Sequence, residues 1–257
     1  LAVVLAMACF IAGDYGVAWD DAVQTQYGAL VLDYFASCGR NCACNQLSDL
    51  RFYGAPVELV GAALGRVFPG RLVELRHLLT AAIAILSIPA LYRFGHLLGR
   101  PWLGVCAATL LWLTPRFFGH AFINTKDTPF AVGMIATVGA LTALLAHRRY
   151  TWHEMIQCGL LMGCTVAVRP GGWLVIGPLY LLGVSFADWQ ARRLRSRWGT
   201  QADRNSRRTV GKQAALFLLA WAVMLICWPW AHQSPFWHPL EAIRISSSFH
   251  LAVPVLF

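Results

Sequence analysis

Seven apolar runs separated by polar segments constrain this chain more than any other feature of its sequence. Only 13% of the 257 residues are charged and 58% are hydrophobic, whereas a soluble domain carries about 25% charged residues. This composition excludes a disordered chain, a coiled coil and an ordinary soluble enzyme. It predicts an all-α fold, a polytopic transmembrane helix bundle, although several runs are shorter than the roughly 20 residues of a spanning helix. The runs cover 1–13, 77–92, 102–118, 129–146, 155–168, 171–187 and 213–230.

The basic residues predict which side of the membrane each loop faces. If the first loop, 14–76, lies outside, the segments 93–100, 147–154 and 188–212 lie inside. Those three segments hold 12 of the 21 Lys and Arg but 3 of the 12 Asp and Glu, so the whole net charge of +9 falls on one side. This asymmetry follows the positive-inside rule. It makes 188–212 a basic cytoplasmic loop that faces anionic headgroups, and we expect no nucleic-acid partner.

The two ends of the sequence indicate a larger parent. The chain begins without Met inside an apolar run and stops after Leu256 and Phe257 within another pattern. We therefore expect residues 1–257 to form a single transmembrane domain, a fragment of a longer chain, with a cleaved signal core as the alternative reading of the first run.

The long first loop contains two amphipathic helix patterns. Apolar residues recur at helical spacing in 21–37 and again in 56–68. Such stripes are typical of helices that lie in the membrane interface, and equally of helices that pack against a bundle. Either arrangement gives a structured platform on the outer face.

The outer loop also holds Cys38, Cys42 and Cys44, which allow one disulfide with one thiol left over. A zinc site built from them lacks the usual spacing. Four histidines are expected outside as well, where structural roles compete with metal binding; they are His120, His232, His238 and His250.

Two acidic spots on the predicted outer side carry the candidate chemistry. Asp20 and Asp21 follow the first run, and Lys126 and Asp127 precede the fourth. Helix capping explains part of each: Asp21 with Gln24 forms a capping-box pattern, and Thr128 with Pro129 reads as N-cap and first helical residue. Capping leaves Asp20 and Lys126 unexplained.

A carboxylate at a membrane surface can deprotonate an acceptor hydroxyl. Lys126, together with Arg116 or Arg76, can neutralise a phosphate leaving group. That combination suits glycosyl transfer from a phosphate-linked sugar. A transporter or another non-catalytic membrane protein is the alternative, because transporters also place charges at such positions.

Several stretches together resemble a bacterial membrane glycosyltransferase. The likeness is to the GT-C fold group, and within it to the protein-mannosyltransferase and aminoarabinose-transferase superfamily, which is glycosyltransferase family 39-like. It covers roughly 14–187 and is carried by Trp19-Asp20-Asp21 to Phe35, Arg51-Phe52-Tyr53-Gly54, Arg76-His77 and the run from Thr114 to Pro129.

The resemblance implies a sugar donor carried on a polyprenyl phosphate, a hydroxyl acceptor on a lipid, protein or glycan, and inversion at the anomeric carbon. It implies that Asp20 is the catalytic base and that Asp21 stands where the family usually has Glu. Asp127, with Lys126 beside it, matches the family's second acidic site, which orients the donor phosphate or a metal. Members differ in their need for a divalent metal, so a metal stays open.

The resemblance also predicts the inner membrane of a bacterium, with the catalytic side facing outward and membrane lipids as neighbours. Arg116, Arg76 and His120 are further substrate-binding candidates. Their alternatives are structural, since arginines snorkel at span ends and His120 can cap or pack.

Overall fold

The computed structural model describes residues 2–47, 49–146, 151–198 and 200–247, and within these ranges the chain is all-helical. No β-strand occurs in the described part, which confirms the predicted all-α class. Thirteen α-helices cover most of the described residues. They are α1 (Ala2–Ile11), α2 (Asp21–Ala36), α3 (Pro56–Val67), α4 (Leu72–Ile85), α5 (Ser87–Leu97), α6 (Pro101–Leu113), α7 (Pro115–Ile123), α8 (Asp127–Ala146), α9 (Trp152–Val168), α10 (Trp173–Trp198), α11 (Thr200–Ile226), α12 (Pro229–Gln233) and α13 (Trp237–Ser247).

The apolar runs become helices, but their lengths differ from the prediction. The run 102–118 is interrupted at Thr114, because Pro115 opens α7 and leaves α6 as a separate helix. Two helical segments of the described chain are long and apolar enough to cross a membrane, Leu72–Leu97 and Asp127–Leu144.

The segment 188–212, predicted as a basic cytoplasmic loop between two apolar runs, is helical in its described residues. α10 continues through Trp198, and α11 begins at Thr200. Seven of its 25 residues are Arg, which favours helix, and it contains no Pro. A drop in hydropathy therefore ended the predicted apolar run without ending the helix.

Both amphipathic patterns of the first loop are confirmed as helices, α2 and α3. α2 buries Tyr27 and Val31, and α3 buries Val57, whereas Val23 and Val60 are about half exposed. The two helices pack against each other at Gly28, where a Cβ would lie 2.6 Å from the Glu58 carbonyl oxygen. This close approach holds the middle of α2 against the first turn of α3.

Among the residues that the structure describes, three apolar clusters stabilise the arrangement. The largest joins α8 to α13 around Trp228 and Met162. A second joins α1, α4 and α7 around Phe122. The third lies beneath α2, around Tyr27 and Val31. The segment between α2 and α3, residues 37–55, is fastened to the largest cluster, since Trp228 Nε1 donates to the Arg51 carbonyl oxygen at 2.7 Å.

Gly54 lies where the segment between α2 and α3 meets the end of α9. A Cβ at this position would lie 2.3 Å from the Ala167 carbonyl oxygen, which is backbone and has little room to move. We expect Gly54→Ala to lower the free energy of unfolding by about 1–3 kcal/mol through this overlap. The matched control is Gly119→Ala in α7, where a Cβ meets nothing within 4 Å and alanine favours the helix. Chemical unfolding in detergent measures both; equal stability of Gly54→Ala and wild type would contradict the close approach.

Candidate active site

Asp20 lies at the N-cap position of α2, yet its side chain does not cap the helix. Its carboxylate instead accepts a hydrogen bond from Gln24 Nε2, one turn into α2. The predicted capping box of Asp21 with Gln24 is therefore wrong. Because α2 begins at Asp21, this residue is inside the helix and Gln24 is turned toward Asp20.

Asp21 forms a buried ion pair with Arg76 of α4. Arg76 Nε donates to Asp21 Oδ1 at 3.1 Å, and Arg76 Nη2 lies 2.9 Å from the same oxygen. The side chain of Arg76 is 3% exposed and that of Asp21 is 15% exposed. The pair joins α2 to α4, so both residues are committed to each other rather than to solvent.

The second acidic spot is organised by Asn124. Its Oδ1 accepts from the backbone N–H groups of Lys126 and Asp127, at 3.1 and 2.7 Å, and thereby caps the start of α8. The predicted N-cap Thr128 is wrong, because α8 begins at Asp127, two residues before the predicted first helical residue Pro129. The Thr128 hydroxyl donates to the His120 carbonyl oxygen at 2.9 Å, deep in the turn.

Asp127 is paired with Arg169, a residue that sequence reasoning missed. Arg169 follows the end of α9, and its Nη2 forms the ion pair with Asp127 Oδ1. Arg169 and Lys126 both lie over the ring of Tyr53, with Arg169 Cζ 5.7 Å and Lys126 Nζ 5.2 Å from its centroid. Two cations therefore share one aromatic ring, where cation–π attraction supports them.

Thr125 connects the two acidic spots. Its hydroxyl lies within hydrogen-bond distance of Gln24 Oε1 on α2 and 3.0 Å from Glu58 Oε1 on α3. Asp20, Gln24, Thr125 and Glu58 thus form one continuous hydrogen-bonded row across three parts of the chain. The proximity of the two spots, which the sequence predicted only for a packed bundle, is present in the structure.

Burial dominates the electrostatics of this row. Burial raises the pKa of the Glu58 carboxyl above its ordinary value, and the nearby charges of Lys126 and Arg76 act against that rise. Burial likewise lowers the pKa of the Lys126 ammonium, while Glu58 and Asp20 act against the drop. Lys126 therefore lies within electrostatic reach of both Asp20 and Glu58.

Two predicted substrate-binding residues lie at the edge of this cluster. Arg116 is exposed on α7 and makes no hydrogen bond or ion pair with the described residues. His120 Nδ1 lies 2.8 Å from Asn124 Nδ2, so it supports the residue that caps α8. The structure brings together Asp20, Asp21, Arg76, Lys126 and Asp127.

The candidate metal ligands do not converge. In the described ranges no group of three or more His, Cys, Asp or Glu side chains could hold a metal ion, and Cys38, Cys42 and Cys44 are free thiols. Burial raises the pKa of Cys44 to about 11. His250 lies outside the described residues.

The arrangement places a hydrogen-bonded carboxylate, Asp20, within electrostatic reach of Lys126, which shares the Tyr53 ring with Arg169. Asp20 is in no ion pair with the described residues, in contrast to Asp21 and Asp127. Such a carboxylate can accept a proton, and the cations can bind an anion. The sequence held a weak signal for Glu58, which is an isolated acid within an apolar stripe. Comparisons with protein-family models, curated proteins and solved structures find no match to this chain.

Proposed function

We propose that this chain belongs to a polytopic membrane glycosyltransferase of the GT-C type, similar to glycosyltransferase family 39. It moves a sugar from a polyprenyl-phosphate donor to a hydroxyl acceptor on the outer face of a bacterial inner membrane. The observation that carries the proposal is that a carboxylate able to accept a proton and cations able to bind a phosphate lie in one cluster. Asp20 is a carboxylate outside any ion pair among the described residues, Lys126 lies within electrostatic reach of it, and Arg169 adds a second positive charge at the Tyr53 ring that Lys126 also contacts.

The surface of the helices supports a membrane location. In the most apolar 18 residues of Leu72–Leu97, 33% are buried, and in Asp127–Leu144 the buried share is 28%. The core helix of a soluble protein would be mostly buried. Large apolar side chains on other helices are also exposed, among them Leu110 at 68%, Leu182 at 66% and Leu218 at 65%. Exposed apolar surface of this extent is suited to lipid rather than water. The positive-inside asymmetry supports an outward-facing Asp20.

The proposed reaction is a single displacement. The acceptor hydroxyl oxygen attacks the anomeric carbon of the donor and gives its proton to the Asp20 carboxylate. The bond between the anomeric carbon and the phosphate oxygen breaks, and its electron pair stays on the phosphate. One glycoside and one polyprenyl phosphate result, with inversion at the anomeric carbon.

The two cations over Tyr53 are suited to the donor phosphate. Positive groups that meet charge developing on a leaving group lower the barrier most when they are held in place before the reaction. Arg169 is held by Asp127 and Lys126 by its partly buried position, so both side chains are oriented in advance.

We expect Arg169→Met to raise the KM for the donor about tenfold or more, because a charge-assisted contact to phosphate is lost. Arg169→Lys should recover part of this loss, since it restores the charge without the planar fork. The matched control is Arg40→Met, which removes an exposed arginine from the segment between α2 and α3 that also holds Tyr53. Donor titrations in proteoliposomes measure the KM; an unchanged value in Arg169→Met would remove Arg169 from the binding site.

The test of the proposal uses the full-length protein in proteoliposomes with polyprenyl-phosphate mannose, glucose and aminoarabinose as donors, and a bacterial lipid and glycan extract as the acceptor source. We expect one donor to be consumed, with release of polyprenyl phosphate. Movement of an intact donor across the bilayer without consumption would instead support a transporter, and would overturn the proposal.

A further inference from the structure

The hydroxyl of Thr125 has one proton but two acceptor-type neighbours. Gln24 Oε1 and Glu58 Oε1 both lie within hydrogen-bond distance of Thr125 Oγ1. The orientation of the Gln24 amide is fixed from its other end, because the Asp20 carboxylate accepts and its partner must be the Nε2 donor. Gln24 Oε1 therefore faces Thr125 and needs the proton of its hydroxyl.

Resting on the proposed function, we propose that Glu58 is a positioning residue that donates a carboxyl proton to Thr125 and so fixes the Gln24 amide against Asp20. With Glu58 protonated, every contact in the row has one proton. Glu58 donates to Thr125, Thr125 donates to Gln24, and Gln24 donates to Asp20. With Glu58 ionised, the single proton of Thr125 would have to serve two oxygens, and one buried contact would bring two lone pairs together.

The surroundings of Glu58 agree with a neutral carboxyl. Glu58 is 3% exposed and Thr125 is also 3% exposed, and burial raises the pKa of the Glu58 carboxyl. The charged and titratable groups that face it are Tyr27 on α2, Arg76 on α4 and Lys126 before α8. Arg76 is already neutralised by Asp21. A neutral Glu58 also leaves the charge of Lys126 available for Asp20 and for the donor phosphate.

The variants that test this proposal distinguish two roles of the Glu58 side chain, as a proton donor and as a negative charge. Glu58→Gln keeps a donor of nearly the same shape, so we expect kcat within about threefold of wild type. Glu58→Leu removes the donor, and we expect kcat to fall about tenfold or more at a similar donor KM. Thr125→Val removes the hydroxyl, and we expect it to lower kcat as much as Glu58→Leu does. Thr125→Ser keeps the hydroxyl, and we expect it to rescue the kcat that Thr125→Val loses. A Glu58→Gln variant as impaired as Glu58→Leu would overturn the proposal.

The pH profile gives a readout that a merely structural role would not change. Because the Glu58 carboxyl donates only while protonated, wild-type kcat should fall as pH rises through its raised pKa. Glu58→Gln should lack that component of the fall. Identical profiles for the two proteins would contradict the proposed proton donor.

An infrared measurement keeps this test independent of the proposed activity. The wild-type protein should show the carbonyl band of a buried protonated carboxyl at neutral pH, and Glu58→Gln should lose that band. Should the protein consume no donor at all, the glycosyltransferase proposal fails while the band still tests the protonation of Glu58. A spectrum without such a band would overturn the inference on Glu58 alone.

Discussion

Asp20→Asn is expected to lower kcat for sugar transfer by about 10²–10⁴-fold, the range for removal of a general base. Asparagine keeps the size of the side chain and still accepts a hydrogen bond from Gln24, but it cannot take the acceptor proton. Lys126 and Arg169 are unchanged, so the donor KM should change little. Release of polyprenyl phosphate from proteoliposomes at matched protein levels measures both constants.

Asp33→Asn is the matched control, since it makes the same chemical change on the same helix. Asp33 lies farther along α2 in an exposed ion pair with Arg66, away from the row that includes Asp20. It should keep wild-type activity. An Asp20→Asn variant as active as Asp33→Asn would show that Asp20 is not the base.

Asp21→Asn is expected to act on stability, with a loss of about 3–5 kcal/mol in the free energy of unfolding. The reason is that Arg76 is 3% exposed and would be left with its charge buried and unpaired. Chemical unfolding in detergent, followed by tryptophan fluorescence, measures this loss. The two adjacent aspartates should therefore differ in their effects: Asp20→Asn lowers kcat, and Asp21→Asn lowers the free energy of unfolding.

Two further variants control this second prediction. Asp33→Asn breaks an ion pair whose side chains are 57% and 42% exposed, so it should cost less than about 1 kcal/mol. Asp21→Asn combined with Arg76→Met removes both charges and should be more stable than Asp21→Asn alone. A stability of Asp21→Asn equal to that of Asp33→Asn would contradict a structural role for the buried pair.

The helices could be predicted from the sequence because the signal for them is local. The stripes in 21–37 and 56–68 needed only helical spacing to predict α2 and α3. Helix ends were harder, because an end depends on which side chain reaches the free backbone groups. Asn124 satisfies the amides at the start of α8, and this leaves Thr128 inside the helix rather than at its cap.

The partners within the candidate site could not be predicted, because each contact joins distant parts of the chain. Thr125 contacts Gln24, which is 101 residues away in the sequence, and Glu58, which is 67 residues away. Spacing along the sequence carries no information on such pairs. Arg169 was missed for the same reason, since an arginine after an apolar run is also typical of a helix end at a membrane surface.

The most direct test of the central claim follows the reacting carbon itself. The full-length protein in proteoliposomes receives the consumed donor labelled with ¹³C at the anomeric carbon, and NMR follows the label. We predict a new glycoside of inverted anomeric configuration, formed in equal amount to the polyprenyl phosphate released and absent with Asp20→Asn. A product that retains the donor configuration, or a label that stays on the phosphate, would contradict the proposed displacement assisted by Asp20.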